Sequence, residues 1–157
     1  MVAGGQRDSE EGSALMLLPA GLLVLLVLAA AAVDSAVAFA GQREAAALAA
    51  SAAADVIVAA ADVEAFYTDD GVLELHEADV RSVAETVVAD SGSSAVEVTT
   101  VEAVCDDEDG LAVTVSVEGY VEVVFAPSVA GMGHRAVAAS STATAVDGTA
   151  FDVRCVR

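Results

Sequence analysis

The stretch RDSEEGSALMLLPAGLLVLLVLAAAAVDS, Arg7 to Ser35, decides the plan of this chain. Charge stops at Glu11 and does not return until Asp34, so Gly12 to Val33 is a run of 22 residues without a formal charge. As a helix rising roughly 1.5 Å per residue it covers about 33 Å, enough for a hydrocarbon core of about 30 Å. A cleavable secretion signal carries a positive leader and a shorter apolar core of about 7–15 residues. Here the leader sets Arg7 against Asp8, Glu10 and Glu11. The run therefore reads as an uncleaved transmembrane helix, 12–33, behind a cytoplasmic leader, 1–11. Cleavage by signal peptidase near Ala36-Val37-Ala38 is the other reading.

Working outward, the residues after Val33 carry 22 Asp and Glu against five Arg, and there is no Lys anywhere. So acidic a surface repels nucleic acid and anionic headgroups, which disfavours a nucleic-acid partner on charge alone. Few bases flank the span, so the positive-inside rule has little to weigh, and the long C-terminal part is expected outside the cytoplasm. The two cysteines, Cys105 and Cys155, agree with an oxidising compartment.

The helical character continues beyond the span. DSAVAFAGQREAAALAASAAADVIVAAADVEAF, Asp34 to Phe66, holds no proline and a single glycine, and alanine dominates it. Alanine is the best helix former, so a long helix over 34–67 is expected, joined to the span as one rod. Pro19 falls in the first turns of the span, where it kinks the helix or is tolerated near its start. TDDG, Thr68–Gly71, signals a turn. A second helix is expected around Glu77–Asp90, because Val80, Val83, Ala84, Val87 and Val88 form one apolar stripe at helical spacing.

From Ala95 the period becomes two. Leu111, Val113, Val115, Val117, Val121, Val123 and Phe125 share one parity, while Thr114, Ser116, Glu118, Tyr120 and Glu122 occupy the other. An earlier strand, Ala95–Cys105, reaches this one through the polar turn DDEDG, and Thr99-Thr100 marks a slip in its alternation. APSVAGMGH reads as a loop, RAVAASSTATAV as a third strand, DGT as a turn, and AFDVRCV as a last strand with Phe151, Val153 and Cys155 on one face. The fold expected is α+β: a transmembrane helix running into a long helix, then a short helix and an antiparallel sheet of about four strands over 68–157.

The chemistry-bearing motifs are few. HEADV, His76–Val80, begins like a zinc-protease helix but has Val80 where a second His belongs. CDDEDG resembles the start of a calcium loop, yet Cys105 and Ser116 stand at ligand positions that need carboxylates. A looser calcium site at Asp106, Asp107 and Asp109 competes with a plain solvated hairpin tip, and the tip is preferred. No glycine-rich phosphate loop and no nucleophile elbow occur. No enzyme, no metal and no cofactor is expected. Cys105 and Cys155 read as a structural disulfide in preference to two buried thiols, and redox catalysis is set aside for want of a CxxC pair.

The alanines remain. Ala32, Ala36 and Ala40 recur every four residues where charge returns, followed by Ala46, Ala50 and Ala54. Small residues at that spacing let helix backbones approach closely, although the overall abundance of alanine explains the pattern equally well. Asp34 and Arg43 are the polar residues at the membrane exit.

In combination, Gly12-Ser13-Ala14, Leu18-Pro19, Ala32-Val33-Asp34, Phe39, Arg43 and the alanine run Ala45–Ala54 resemble the N-terminal region of TadE/TadG-like pilus assembly proteins. The likeness covers about 45 residues, and the overall plan is pilin-like. It implies a pseudopilin-like accessory subunit of a Flp/Tad-type pilus or related secretion machine, whose N-terminal helix packs against itself or other components. It also implies processing between Gly12 and Ser13. TadE-type members carry Glu at the fifth position after the processed Gly, where this chain has Leu17, so an uncleaved TadG-like anchor is the alternative. Apart from the resemblance, a membrane-tethered binding domain unrelated to pili stays open.

Overall fold

The computed structural model describes residues 8–62, 67, 72–93, 95–106, 111–125, 133–144 and 152–156. Helix α1 runs without interruption from Asp8 to Ala59, 52 residues, and carries Pro19 inside it. Its length is about 78 Å at the usual helical rise. Among the described residues it is the one helix long and apolar enough to cross a membrane. Leu17, Leu18 and Leu22 through Leu28 are exposed on every side of it.

The C-terminal half of α1 behaves differently. Ala45, Leu48, Ala49, Ala52, Ala53 and Val56 are buried at helical spacing and form one face. That face lies on the inner side of a sheet made of β3 (Glu97–Asp106), β4 (Ala112–Glu122) and β5 (His134–Thr144), antiparallel and in that order. The alternation expected of β4 is present as far as Val123: Leu111, Val113, Val115, Val117, Val121 and Val123 are buried, while Glu118, Tyr120 and Glu122 face out; Phe125, expected on the buried side, is exposed. On the outer face Thr114 and Thr142 share a hydrogen bond of 2.8 Å, and the Ser116 hydroxyl donates to Ser140 at 3.2 Å. Alanine on the helix against valine on the sheet keeps the two layers close. Each valine buried there contributes roughly 1.5–3 kcal/mol relative to exposure.

Helix α2 (Glu77–Asp90) matches its expected span, with Val80, Ala84 and Val88 buried and Val83 and Val87 packed beside them. Acidic Glu77 and Asp79 in its first turn suit the positive end of the helix. The slip expected at Thr99-Thr100 is a bulge: Val98 faces Gly119, Thr100 faces Glu118, and Thr99 is the extra residue, its hydroxyl donating to the Glu118 carbonyl at 3.2 Å. A Cβ on Gly119 would run into the Glu97 carbonyl and the Val96 side chain, so the two strands meet there only because position 119 has none.

Two expectations need correction. The long helix ends at Ala59, not at residue 67. Ala60 still donates to the Val56 carbonyl at 2.9 Å, after which β1 (Ala61–Asp62) pairs antiparallel with β2 (Val72–His76). Nothing in the composition forbids further helix, so the strand pairing overrides local preference. The sheet of about four antiparallel strands is met in part: β3, β4 and β5 are antiparallel, and the last strand is elsewhere. The last strand, β6 (Asp152–Val156), leaves the meander and pairs in parallel with β2, Val72 opposite Asp152 through His76 opposite Val156. Leu75, fully buried, faces inward from this smaller sheet into the core shared with α1 and α2. The turns expected at Thr68–Gly71, Asp107–Gly110 and Asp147–Thr149, and the loop from 126 to 132, lie outside the described residues.

Candidate functional site

The functional question centres on the part of α1 where charge returns. On a helix of 100° per residue, Asp34, Val37, Ala38, Gly41 and Ala45 share one face. Gly41 and Ala45 are buried, and Asp34, Val37 and Ala38 half-buried, because β4 and β5 lie against them. Strand β4 runs back along α1 toward the apolar half, so its end meets Asp34. One carboxylate oxygen there, Oδ1, accepts the backbone N–H groups of Val124 and Phe125, at 3.0 and 2.9 Å. These two donors sit where β4 has already ended, and Asp34 supplies the acceptor a further strand would have given. The side chain thus fastens the sheet to the helix at its apolar boundary.

Two further contacts hold the same junction. The Gln42 amide nitrogen donates to the Ala138 carbonyl on β5. Next to Gln42 in sequence, Gly41 faces Val121, which is 2% exposed, and a Cβ at position 41 would overlap the Val121 side chain. Higher up, the Ser93 hydroxyl donates to the Glu44 carboxylate at 2.6 Å, tying the loop after α2 to α1.

The residues singled out in the sequence distribute themselves around this helix. Ala32, Ala36 and Ala40 are exposed and lie on the side of α1 opposite Asp34 and Gly41. Ala46, Ala50 and Ala54 are exposed as well. Arg43 is on that free side too, its guanidinium 5.9 Å from the centre of the Phe39 ring. Asp34 and Arg43 therefore do not form one polar site: the first faces the sheet and the second faces away. Gly12 and Ser13 lie within the helical backbone of α1. Cys105 on β3 and Cys155 on β6 are joined in a disulfide with a Cα–Cα distance of 6.0 Å, which bridges the two sheets.

Among the described residues no three His, Cys, Asp or Glu side chains converge as metal ligands would. Asp107 and Asp109 lie outside the described residues. Sequence reasoning missed Gly41, Gln42 and the Val124–Phe125 backbone. Gly41 did leave a signal, as the one glycine between Asp34 and Phe66.

Replacing Asp34 by Ala is expected to cost about 1–2 kcal/mol at this junction. A hydrogen bond to a charged group is worth about 1.5–3 kcal/mol, and water at a half-buried site recovers part of the loss. Hydrogen exchange at the Val124 and Phe125 amides should speed up strongly, while amides in the middle of β4 stay protected. Asp34→Asn, which keeps an acceptor oxygen without the charge, should fall between. Unchanged exchange in Asp34→Ala would remove the carboxylate from any fastening role.

No protein-family model, curated protein or solved structure matches this chain.

Proposed function

We propose that this chain is a membrane-anchored accessory subunit of a Flp/Tad-type pilus or a related secretion machine, pseudopilin-like in plan, acting by helix packing and protein–protein contact and not by catalysis. In this reading Gly12–Val33 crosses the cell membrane once, residues 1–11 lie in the cytoplasm, and the α+β domain lies outside. The observation that carries the reading is the division of α1 into two faces. One is covered by the sheet and pinned by Asp34 and Gly41; the other, with Ala32, Ala36 and Ala40, is left bare by the chain's own domain. A bare small-residue face at the end of an apolar span suits close approach of a second helix, from another copy or another component of the machine. The resemblance of Gly12–Ala54 to TadE/TadG-like proteins points the same way, and a disulfide suits an oxidising compartment outside the cytoplasm. A formal net charge of −19 disfavours nucleic acid as a partner.

The test is Ala36→Leu in cells. A leucine holds two backbones apart but cannot weaken partition into lipid, and Ala36 is exposed in the folded chain. The variant should stay in the membrane fraction through carbonate extraction and lose most of its crosslinks to pilus or secretion components. Retention of every partner at wild-type yield would leave the tethered binding domain as the better reading.

A further inference from the structure

We propose that the end of β4 is a second membrane contact, in which the side chains of Val124 and Phe125 sit in the lipid interface beside the transmembrane helix. The inference rests on the reading of Gly12–Val33 as a membrane span and adds to it a surface on the folded domain. Val124 is 59% exposed and Phe125 43%, an adjacent valine and phenylalanine presented to the outside. Their height is fixed, because both backbone N–H groups bond to Asp34, the residue directly after the uncharged run. A span of about 33 Å against a core of about 30 Å places Asp34 at the edge of the hydrocarbon. The headgroup layer beyond is roughly 5–8 Å deep on each side, so side chains tied to Asp34 fall within it.

The surroundings agree with lipid. The sequence contains no formal charge between Glu122 and His134, although the chain as a whole is strongly acidic. At the same end of the sheet Val121 pairs with Arg135 and Glu122 with His134, so a fixed cation and a histidine stand there together with the carboxylates of Glu122, Asp34 and, opposite Tyr120, Glu97. Arg135 also borders a shallow groove with Ser35, Phe39 and Gln42 of α1. An apolar tip flanked by Arg at a helix exit is the arrangement that favours the bilayer interface. Farther from the tip, Glu118 and Glu102 are exposed on the sheet. The domain is thereby held against the membrane at two points, the helix and the strand end, and cannot swing freely about the helix.

The chain has no tryptophan, which makes the test direct. Full-length Phe125→Trp is reconstituted into zwitterionic phospholipid vesicles, with Val104→Trp, exposed near the far end of β3, as the distal control. Vesicle flotation comes first: protein that does not float overturns the span itself. In floating vesicles, Trp fluorescence at 125 should be blue-shifted and quenched several-fold more by lipid spin-labelled near the headgroup than by aqueous acrylamide, with the reverse order at 104. Acrylamide quenching at 125 equal to that at 104 would overturn the contact while leaving the span intact. A tryptophan at 125 shielded from both quenchers would overturn it too, in favour of a protein cover.

Discussion

Replacing Cys105 and Cys155 together by alanine is expected to destabilise the α+β domain by about 4 kcal/mol, the largest effect of any change considered. The bridge spans a sequence separation of 50, and closing a loop of that size removes roughly this much entropy from the unfolded chain in the loop-closure model. The figure matters because of what the bridge joins. Among the described residues strand β6 pairs only with β2, in a small sheet whose other member, β1, has two residues, whereas β3 belongs to the larger sheet on α1. Without the bridge, β6 depends on five parallel pairings and on packing near Leu75. Both cysteines are only half-buried, so truncation to alanine leaves little cavity, and the loss measures the cross-link itself. Denaturant unfolding of the full chain in detergent, wild type against double variant, gives the number. Hydrogen exchange should show β6 and β2 opening first. A difference below about 1 kcal/mol would mean the cross-link constrains little that the unfolded chain had free.

Gly41→Val is expected to cost about 3 kcal/mol, with the damage located at the foot of the sheet. Two effects oppose each other. Valine is a better helix former than glycine by a few tenths of a kcal/mol, which on α1 alone would stabilise. Against this, even the first carbon of the new side chain overlaps Val121, itself almost fully buried. Overpacking of a filled contact costs typically 1–3 kcal/mol, and two β-branched residues meeting face to face, each with one favoured rotamer, put the cost at the upper end. The overlap wins. The readout is exchange at Val121, Val124 and Phe125 together with global unfolding. An unchanged or raised stability would mean that Val121 turns aside freely and that helix and sheet are not held at the distance described.

The helices and the three-stranded meander were legible because each has a period carried by many residues. Val80, Ala84 and Val88 mark α2, and the valines of β4 alternate along its whole length. The end of α1 was not, since Ala59 is followed by residues that a helix accepts as well as a strand does. Strand β2 has an alternating core of only Leu73, Glu74, Leu75 and His76, too short to separate from a turn and the start of α2. The partner of β6 leaves no trace in local pattern, because parallel pairing with β2 is a long-range choice made by the core. At the site, Asp34 stood out as the first charge after the apolar run, but its partners are backbone amides, which have no sequence signature. The spacing of Ala32, Ala36 and Ala40 was readable; that the domain turns its back on them is a fact of three-dimensional packing.

The parallel pairing of β2 with β6 also sets the order in which this chain can fold. Val72, soon after α1, must wait for Asp152 before its strand has a parallel neighbour, so the smaller sheet has high contact order and forms late. The antiparallel meander closes by short connections between neighbouring strands and can assemble on α1 beforehand. Oxidation of Cys105 with Cys155 then follows docking of β6, because until that strand arrives the two thiols have no fixed proximity. The disulfide is thus expected to close late, after the meander has formed. A chain whose last strand is deleted should remain protease-sensitive around β2 with its meander in place.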